Sequence, residues 1–249
     1  MIFIINISNL CKRYGDNVVL NDISLNVDKG KMIGILGYSG CGKSTILKII
    51  SNLESKDSGN LINNSINMGF VFQEPRLLNW INVFENVEIV IRDKVKSKSL
   101  RKEMVDIVLD KVELLKYKNF MPKELSGGMR QRVSIARALV INPDFLLMDE
   151  PFSGLDFRLR LDFIDLINSI FSSENITGIF VTHDSREAFL LCDEIYIFGR
   201  DHNFSKKIVL DENKFDRKLD SSSFLKFDGE VHSSYKFRKR WCKKNFLEV

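Results

Sequence analysis

The stretch "GYSGCGKST", residues 37 to 45, constrains this chain more than any other. It fits the pattern G-x-x-x-x-G-K-[ST]. It follows "KMIGILG", which reads as a buried central strand, and it leads into residues 44 to 53, which read as a helix. On that helix Ile46, Leu47, Ile49, Ile50 and Leu53 are predicted to face inward. Average residue frequencies give such a pattern by chance in roughly one chain in a hundred of this length, and the strand–loop–helix setting lowers that further. Gly37, Gly40 and Gly42 let backbone wrap phosphates without Cβ obstruction. Lys43 supplies a point charge for β- and γ-phosphates, and the Ser44 hydroxyl can ligate Mg²⁺. With nothing bound, Lys43 is expected to face solvent.

Further along, apolar strands end in polar groups. "FLLMDE" finishes on Asp149 and Glu150, where open α/β sheets bind ligands. Asp149 suits Mg²⁺, directly or through water, and Glu150 suits a general base for an attacking water. "FVTHDSREA" puts His183 just past another apolar strand. Such a histidine alone is a cap or a surface group. On the same predicted edge as Asp149, neutral imidazole can donate to a γ-phosphate oxygen or to the attacking water. Gln73 ends "FVFQ"; by itself it reads as an exposed strand end, and it can also reach a metal's water shell. A second glycine pair stands in "LSGGMRQR", residues 125 to 132, where a helix start can hold an anion.

Strands and helices alternate through the core, which predicts an α/β sheet, largely parallel in its centre. N-terminal strands cover residues 2 to 36, and residues 83 to 142 read as a helical lobe, with Met104, Val105, Val108, Val112 and Leu115 at helical spacing. Four cysteines (Cys11, Cys41, Cys192, Cys242) and three histidines are scattered, which argues against a disulfide framework and a zinc site and fits a reducing cytoplasm. Cys41, near Lys43 at a helix start, is expected to be the most reactive thiol. A net charge of +4 does not imply nucleic acid. No apolar run reaches the roughly eighteen residues that span a bilayer. "MIFIINI" reads as a strand, not a signal peptide. The tail, "YKFRKRWCKK", reads as a solvated terminal helix with Phe237 and Trp241 one turn apart; contact with anionic lipid or a partner is its other reading.

In this order, residues 37–45, Gln73, "LSGGMRQR", "MDEP", "SGLD" (153–156) and His183 resemble the ATP-binding subunit of an ABC transporter, from about residue 5 to 210. The resemblance implies a P-loop NTPase (RecA-like) core with an N-terminal antiparallel β subdomain and an inserted α-helical subdomain. The ATP-binding domain would cover 1–220, with a basic tail over 221–249. It implies ATP and Mg²⁺, and ATP hydrolysis with Glu150, His183 and Lys43 as catalytic residues. The ATP contacts would be Tyr14 on adenine, the loop Gly37, Tyr38, Ser39, Gly40, Cys41, Gly42, Lys43, Ser44 and Thr45, then Gln73, Ser126, Gly127, Gly128 and Asp156. Ser44, Gln73 and Asp149 would serve the metal. In such families the second glycine pair meets the γ-phosphate held by a partner subunit, so the chain is expected to form a homodimer on ATP.

"VFQEPRLLNWINVFENV" resembles nitrate, taurine and aliphatic-sulfonate importers. There Arg76, Leu77, Leu78 and Trp80 would line the groove for a permease helix; packing into the helical lobe is the other reading. Asn79, Met121 and "PFSGLD" depart from that pattern. The resemblance further implies transmembrane permease partners reached through Gln73–Trp80, an extracytoplasmic solute-binding protein, and a peripheral place on the cytoplasmic membrane face. The alternative is a soluble ABC-family ATPase acting on nucleic acid or ribosomes. Paired ATP domains and zinc cysteines, typical of that class, are absent here, and no nucleic acid partner is expected.

Overall fold

The structure, a computed structural model, describes residues 3–236. Phe237, Trp241 and Cys242 of the basic tail lie outside the described residues. The chain forms two compact units, Met1–Asn63 with Phe180–Val249, and Asn64–Ile179.

The first unit opens with β1 (Phe3–Tyr14) and β2 (Asn17–Asp28), paired antiparallel with Tyr14 opposite Asn17. Ile23, Leu25 and Val27 are buried while Ser24 and Asn26 are exposed. That period of two belongs to a sheet with one dry face. Next come β3 (Met32–Leu36), α1 (Lys43–Ile50) and β4 (Ser58–Asn63). β4 pairs with β1, completing the order β2-β1-β4. Every residue of β3 is buried, as strands covered on both faces are. Ile46, Leu47, Ile49 and Ile50 of α1 are at most 2% exposed. Each such burial contributes about 1.5–3 kcal/mol. Leu53 departs from the expected inward stripe. The helix stops at Ile50, the Ser51 hydroxyl turns back onto the Leu47 carbonyl oxygen, and Leu53 is 61% exposed.

The second unit holds β5 (Met68–Val71), α2 (Val83–Glu88), α3 (Lys98–Lys111), α4 (Gly127–Leu139), β6 (Phe145–Asp149) and α5 (Phe157–Glu174). β5 runs parallel to β6, with Met68 opposite Phe145 and Val71 opposite Met148. β5 ends at Val71, short of the strand end expected at Gln73 in "FVFQ", so Gln73 stands in the following loop. α2 to α4 occupy the stretch read as a helical lobe. The boundary between the units falls within β7 (Thr177–Thr182).

The first unit resumes with α6 (Ser185–Leu191), β8 (Glu194–Phe198), β9 (Phe204–Val209) and α7 (Ser222–Lys236). β8 is parallel to β3 and antiparallel to β9. The Gly37 N–H donates to the Thr182 carbonyl oxygen at 3.3 Å, tying the exit of β3 to the end of β7. α7 packs on α6 through Phe224 and Phe227 against Phe189, ring centroids 5.3 and 5.5 Å apart.

Candidate functional site

The phosphate-type loop leaves β3 at Gly37 and ends on Gly42, the residue capping α1. Gly40 and Gly42 have φ of 79° and 116°, conformations that disfavour a side chain. A Cβ at Gly42 would also stand 2.7 Å from the Val19 carbonyl oxygen. Inside the loop sits Lys43. Its Nζ donates to the Gly37 and Tyr38 carbonyl oxygens at 2.9 and 2.8 Å, and the residue is 4% exposed. The expectation of a solvent-facing lysine is therefore corrected: the loop folds around the ammonium and its own carbonyls solvate it. Tyr38, Ser39 and Gly40 are exposed at the rim, with Cys41, Ser44 and Thr45 half-buried.

Two further candidates belong to this unit. Tyr14, 47% exposed, ends β1 with Lys12 Nζ 5.2 Å from its ring centroid. His183, exposed, directly follows β7. Its turn is held by residues that the sequence reading passed over. The buried Thr182 hydroxyl donates to Glu187 Oε2 at 2.5 Å and accepts from the Asp184 N–H at 3.0 Å. Asp184 then caps α6 by accepting from the Arg186 N–H at 2.9 Å. The spacing of Thr182 and Glu187 in "THDSRE" was the available signal.

The second unit carries the others. Asp149 is 8% exposed at the carboxyl end of β6. Glu150 follows with φ of 44°, left-handed for a non-glycine residue, in a turn closed by the Ser153 N–H donating to its carbonyl. Strain of this kind is typical of functional positions. Gln73 Nε2 donates to Ser153 Oγ at 3.4 Å. Asp156 caps α5 through the Leu159 N–H at 3.0 Å. Ser126 caps α4, its hydroxyl accepting from the Met129 N–H at 3.2 Å; Ser126 and Gly127 are exposed and Gly128 is buried. The body of α4 is bonded to the loop after β5: Gln131 Nε2 donates to the Phe72 carbonyl at 3.4 Å and Arg137 to the Arg76 carbonyl at 2.9 Å. Burial pulls the Arg137 guanidinium below its ordinary pKa.

Residues 76 to 80 are shaped by Asn86, which is fully buried on α2. Its Oδ1 accepts from the Leu78 N–H at 2.8 Å, and its Nδ2 faces the Leu78, Ile81 and Asn82 carbonyl oxygens at 3.0–3.1 Å. This clamp leaves Trp80 74% exposed, so it does not pack into the helical lobe. Beside the loop lies a hollow of about 260 Å³ bounded by Phe72, Pro75, Arg76, Val90 and Arg137.

Ser44, Gln73 and Asp149 offer a hydroxyl, an amide and a carboxylate, hard oxygen donors of the kind Mg²⁺ takes. Ser44 is in the first unit and the other two in the second. No cluster of three or more His, Cys, Asp or Glu suited to a metal exists among the described residues. No helix among them is long and apolar enough to cross a membrane.

Several known proteins are similar to this chain. It is 41% identical over 203 residues to the Fe(3+) ions import ATP-binding protein FbpC of Fusobacterium nucleatum, covering 78% of this chain and 55% of that one. It is 38% identical to the sulfate/thiosulfate import ATP-binding protein CysA of Pectobacterium atrosepticum, covering 79% and 64%. The aliphatic sulfonates import ATP-binding protein SsuB of Burkholderia pseudomallei is 36% identical, covering 83% and 63%. The chain thus spans 55% to 64% of the length of these relatives. A solved dimeric ATP-binding cassette in a post-hydrolysis state, bound to ADP and phosphate, superposes with a TM-score of 0.74 at 30% identity, covering 84% of this chain and all of that one. The architecture is accordingly that of the α/β ATP-binding cassette, a P-loop NTPase fold. The family model described as ABC transporter matches residues 20–153, just over half of the 249 residues, and through that match the chain belongs to the ABC transporter family.

Proposed function

We propose that the chain is the ATP-binding and ATP-hydrolysing subunit of a membrane importer, working as a homodimer. The observation that carries this reading is the start of α4. Ser126 caps a 13-residue helix with Gly127 exposed, a second anion-binding end in a chain that already has a phosphate loop. A composite site explains both: the loop of one copy holds ATP, and Ser126, Gly127 and Gly128 of another copy meet its γ-phosphate. The dimeric cassette found with ADP and phosphate supports that arrangement.

Lys43, already at the centre of its loop, would meet the β- and γ-phosphates, with loop N–H groups and the α1 dipole adding positive potential. The exposed Tyr14 ring suits adenine. Ser44, Gln73 and Asp149 would hold Mg²⁺, which supplies neutralisation of phosphate charge. Glu150 would take a proton from the attacking water as its oxygen bonds to the γ-phosphorus and the bond to the β-bridging oxygen breaks, giving ADP and phosphate. His183 would hold a γ-phosphate oxygen, oriented by Thr182 and Glu187. Asp156 stands among the nucleotide contacts on the resemblance alone. Loss of the shared anion would reopen the dimer.

Trp80 and the hollow beside Arg76 would receive the permease, at the cytoplasmic face of the membrane, in a system completed by an extracytoplasmic solute-binding protein. For the cargo we infer a small anion or organic solute such as nitrate, sulfonate or taurine. Relatives named for sulfate/thiosulfate and aliphatic sulfonates support it, and the one named for Fe(3+) does not.

The test mixes two inactive proteins, Lys43→Ala and Ser126→Arg. In a mixed dimer one composite site carries both lesions and the other none, so some ATP hydrolysis returns. If crosslinking shows heterodimers and mixing restores nothing, the composite site is wrong.

A further inference from the structure

The lobe formed by α2 and α3 carries a concentration of charge that nucleotide chemistry does not use. Residues 92–102, "RDKVKSKSLRK", hold six basic side chains and one acid, Asp93. Arg92, Lys98, Arg101 and Lys102 line an open hollow of about 500 Å³, with Phe84 and Glu88 on its wall. That volume falls in the roughly 300–1,000 Å³ range of small-molecule sites. Glu88 is already committed. Its Oε1 accepts from Arg101 Nε at 2.7 Å and its Oε2 from Arg92 at 3.0 Å, and these bonds hold its carboxyl below the ordinary value.

Arg101 is 8% exposed and also donates to the Val95 and Lys96 carbonyl oxygens at 2.9 and 3.1 Å, which anchors the strap of chain leading into α3. Lys94, Lys96, Lys98 and Lys102 are exposed, and none has an ion pair among the described residues. The N-terminal end of α3, capped by Ser97, adds its dipole to the same region. The charge also runs past the hollow, through Lys94 and Lys96, and Leu100 beside them is 47% exposed. A single soluble anion needs convergent donors. An extended row of unpaired lysines next to an exposed leucine suits a sheet of negative charge with an apolar interior.

We propose that this basic hollow and the lysine row docks anionic phospholipid headgroups, one headgroup phosphate entering between Arg92, Lys98 and Lys102 while Lys94 and Lys96 lie against its neighbours. This contact is independent of the nucleotide site and of any permease.

The full chain should sediment with vesicles of mixed phosphatidylglycerol and phosphatidylcholine, and not with phosphatidylcholine alone. Binding should fade as salt screens the exposed charges. In the triple variant Lys94→Gln, Lys98→Gln, Lys102→Gln each lost cation weakens partition about fivefold, for roughly a hundredfold in all. Its thermal transition should match the parent, since these side chains make no ion pair or hydrogen bond among the described residues. Equal sedimentation of variant and parent would overturn the proposal, because the basic tail is unchanged in both. On the unsubstituted chain, acetylation footprinting should show Lys98 and Lys102 protected by phosphatidylglycerol vesicles. Protection by glycerol 3-phosphate in solution but not by vesicles would assign the hollow to a free phosphate ester and refute lipid docking.

Discussion

Removing the Lys43 side chain should have two separable effects. The ammonium donates to the Gly37 and Tyr38 carbonyl oxygens at 2.9 and 2.8 Å in a residue 4% exposed. Hydrogen bonds from a charged donor contribute about 1.5–3 kcal/mol each. Withdrawing the ammonium from water offsets much of that, leaving a net loss of about 1–2 kcal/mol for Lys43→Ala. In a chain of this size the ligand-free melting temperature then falls by about 2–8 °C. Lys43→Met keeps the apolar stem and should recover part of that fall. The second effect concerns nucleotide. With Mg-ATP at a hundred times Kd, the parent gains about 2.7 kcal/mol, seen as a rise of roughly 5–11 °C. Both variants should lose that rise. Differential scanning fluorimetry with and without Mg-ATP reads both effects. A ligand-free transition unchanged in Lys43→Ala would show that the lysine does not brace its loop. A retained ATP-dependent rise would show that it does not hold phosphate.

Burial, with Asp193 adding to it, pushes the Cys192 thiol up. In native protein it should therefore be the slowest of Cys11, Cys41 and Cys192 to alkylate, with Cys41 fastest and shielded by Mg-ATP; mass spectrometry after brief labelling decides, and fast labelling of Cys192 would contradict its burial. Trp80→Ala should leave the thermal transition within about 1 °C, as expected for a surface substitution, while co-purification with the permease falls; undiminished complex formation would remove Trp80 from the docking surface.

Much of the candidate site was legible because its determinants are local. "GYSGCGKST" specifies a turn through glycines and a helix start through its own order, and "LSGG" likewise becomes the start of α4. The uninterrupted apolar runs of β3 and β6 identify strands covered on both faces, so the residues at their carboxyl ends emerge where open α/β sheets bind ligands. Periodicity reports which face of an element is apolar, and little about where the element stops or what a loop folds back upon. Leu53 keeps the helical period but lies beyond the turn that ends α1. Nothing in the order of residues 37–43 says that two carbonyls close over the lysine, because that depends on how the glycines at 40 and 42 turn the backbone. Asn86 reads as an ordinary helix residue until the loop above it presents its carbonyls. The Thr182–Glu187 bond and the ties from Gln131 and Arg137 to residues 72 and 76 likewise exist only once the backbone has folded. The sequence by itself determined which chemical groups the protein carries and the local turns that display them. Only the tertiary structure decided which of those groups are dry, clamped or open to a partner, because burial and hydrogen-bond geometry depend on residues that the chain brings together from a distance.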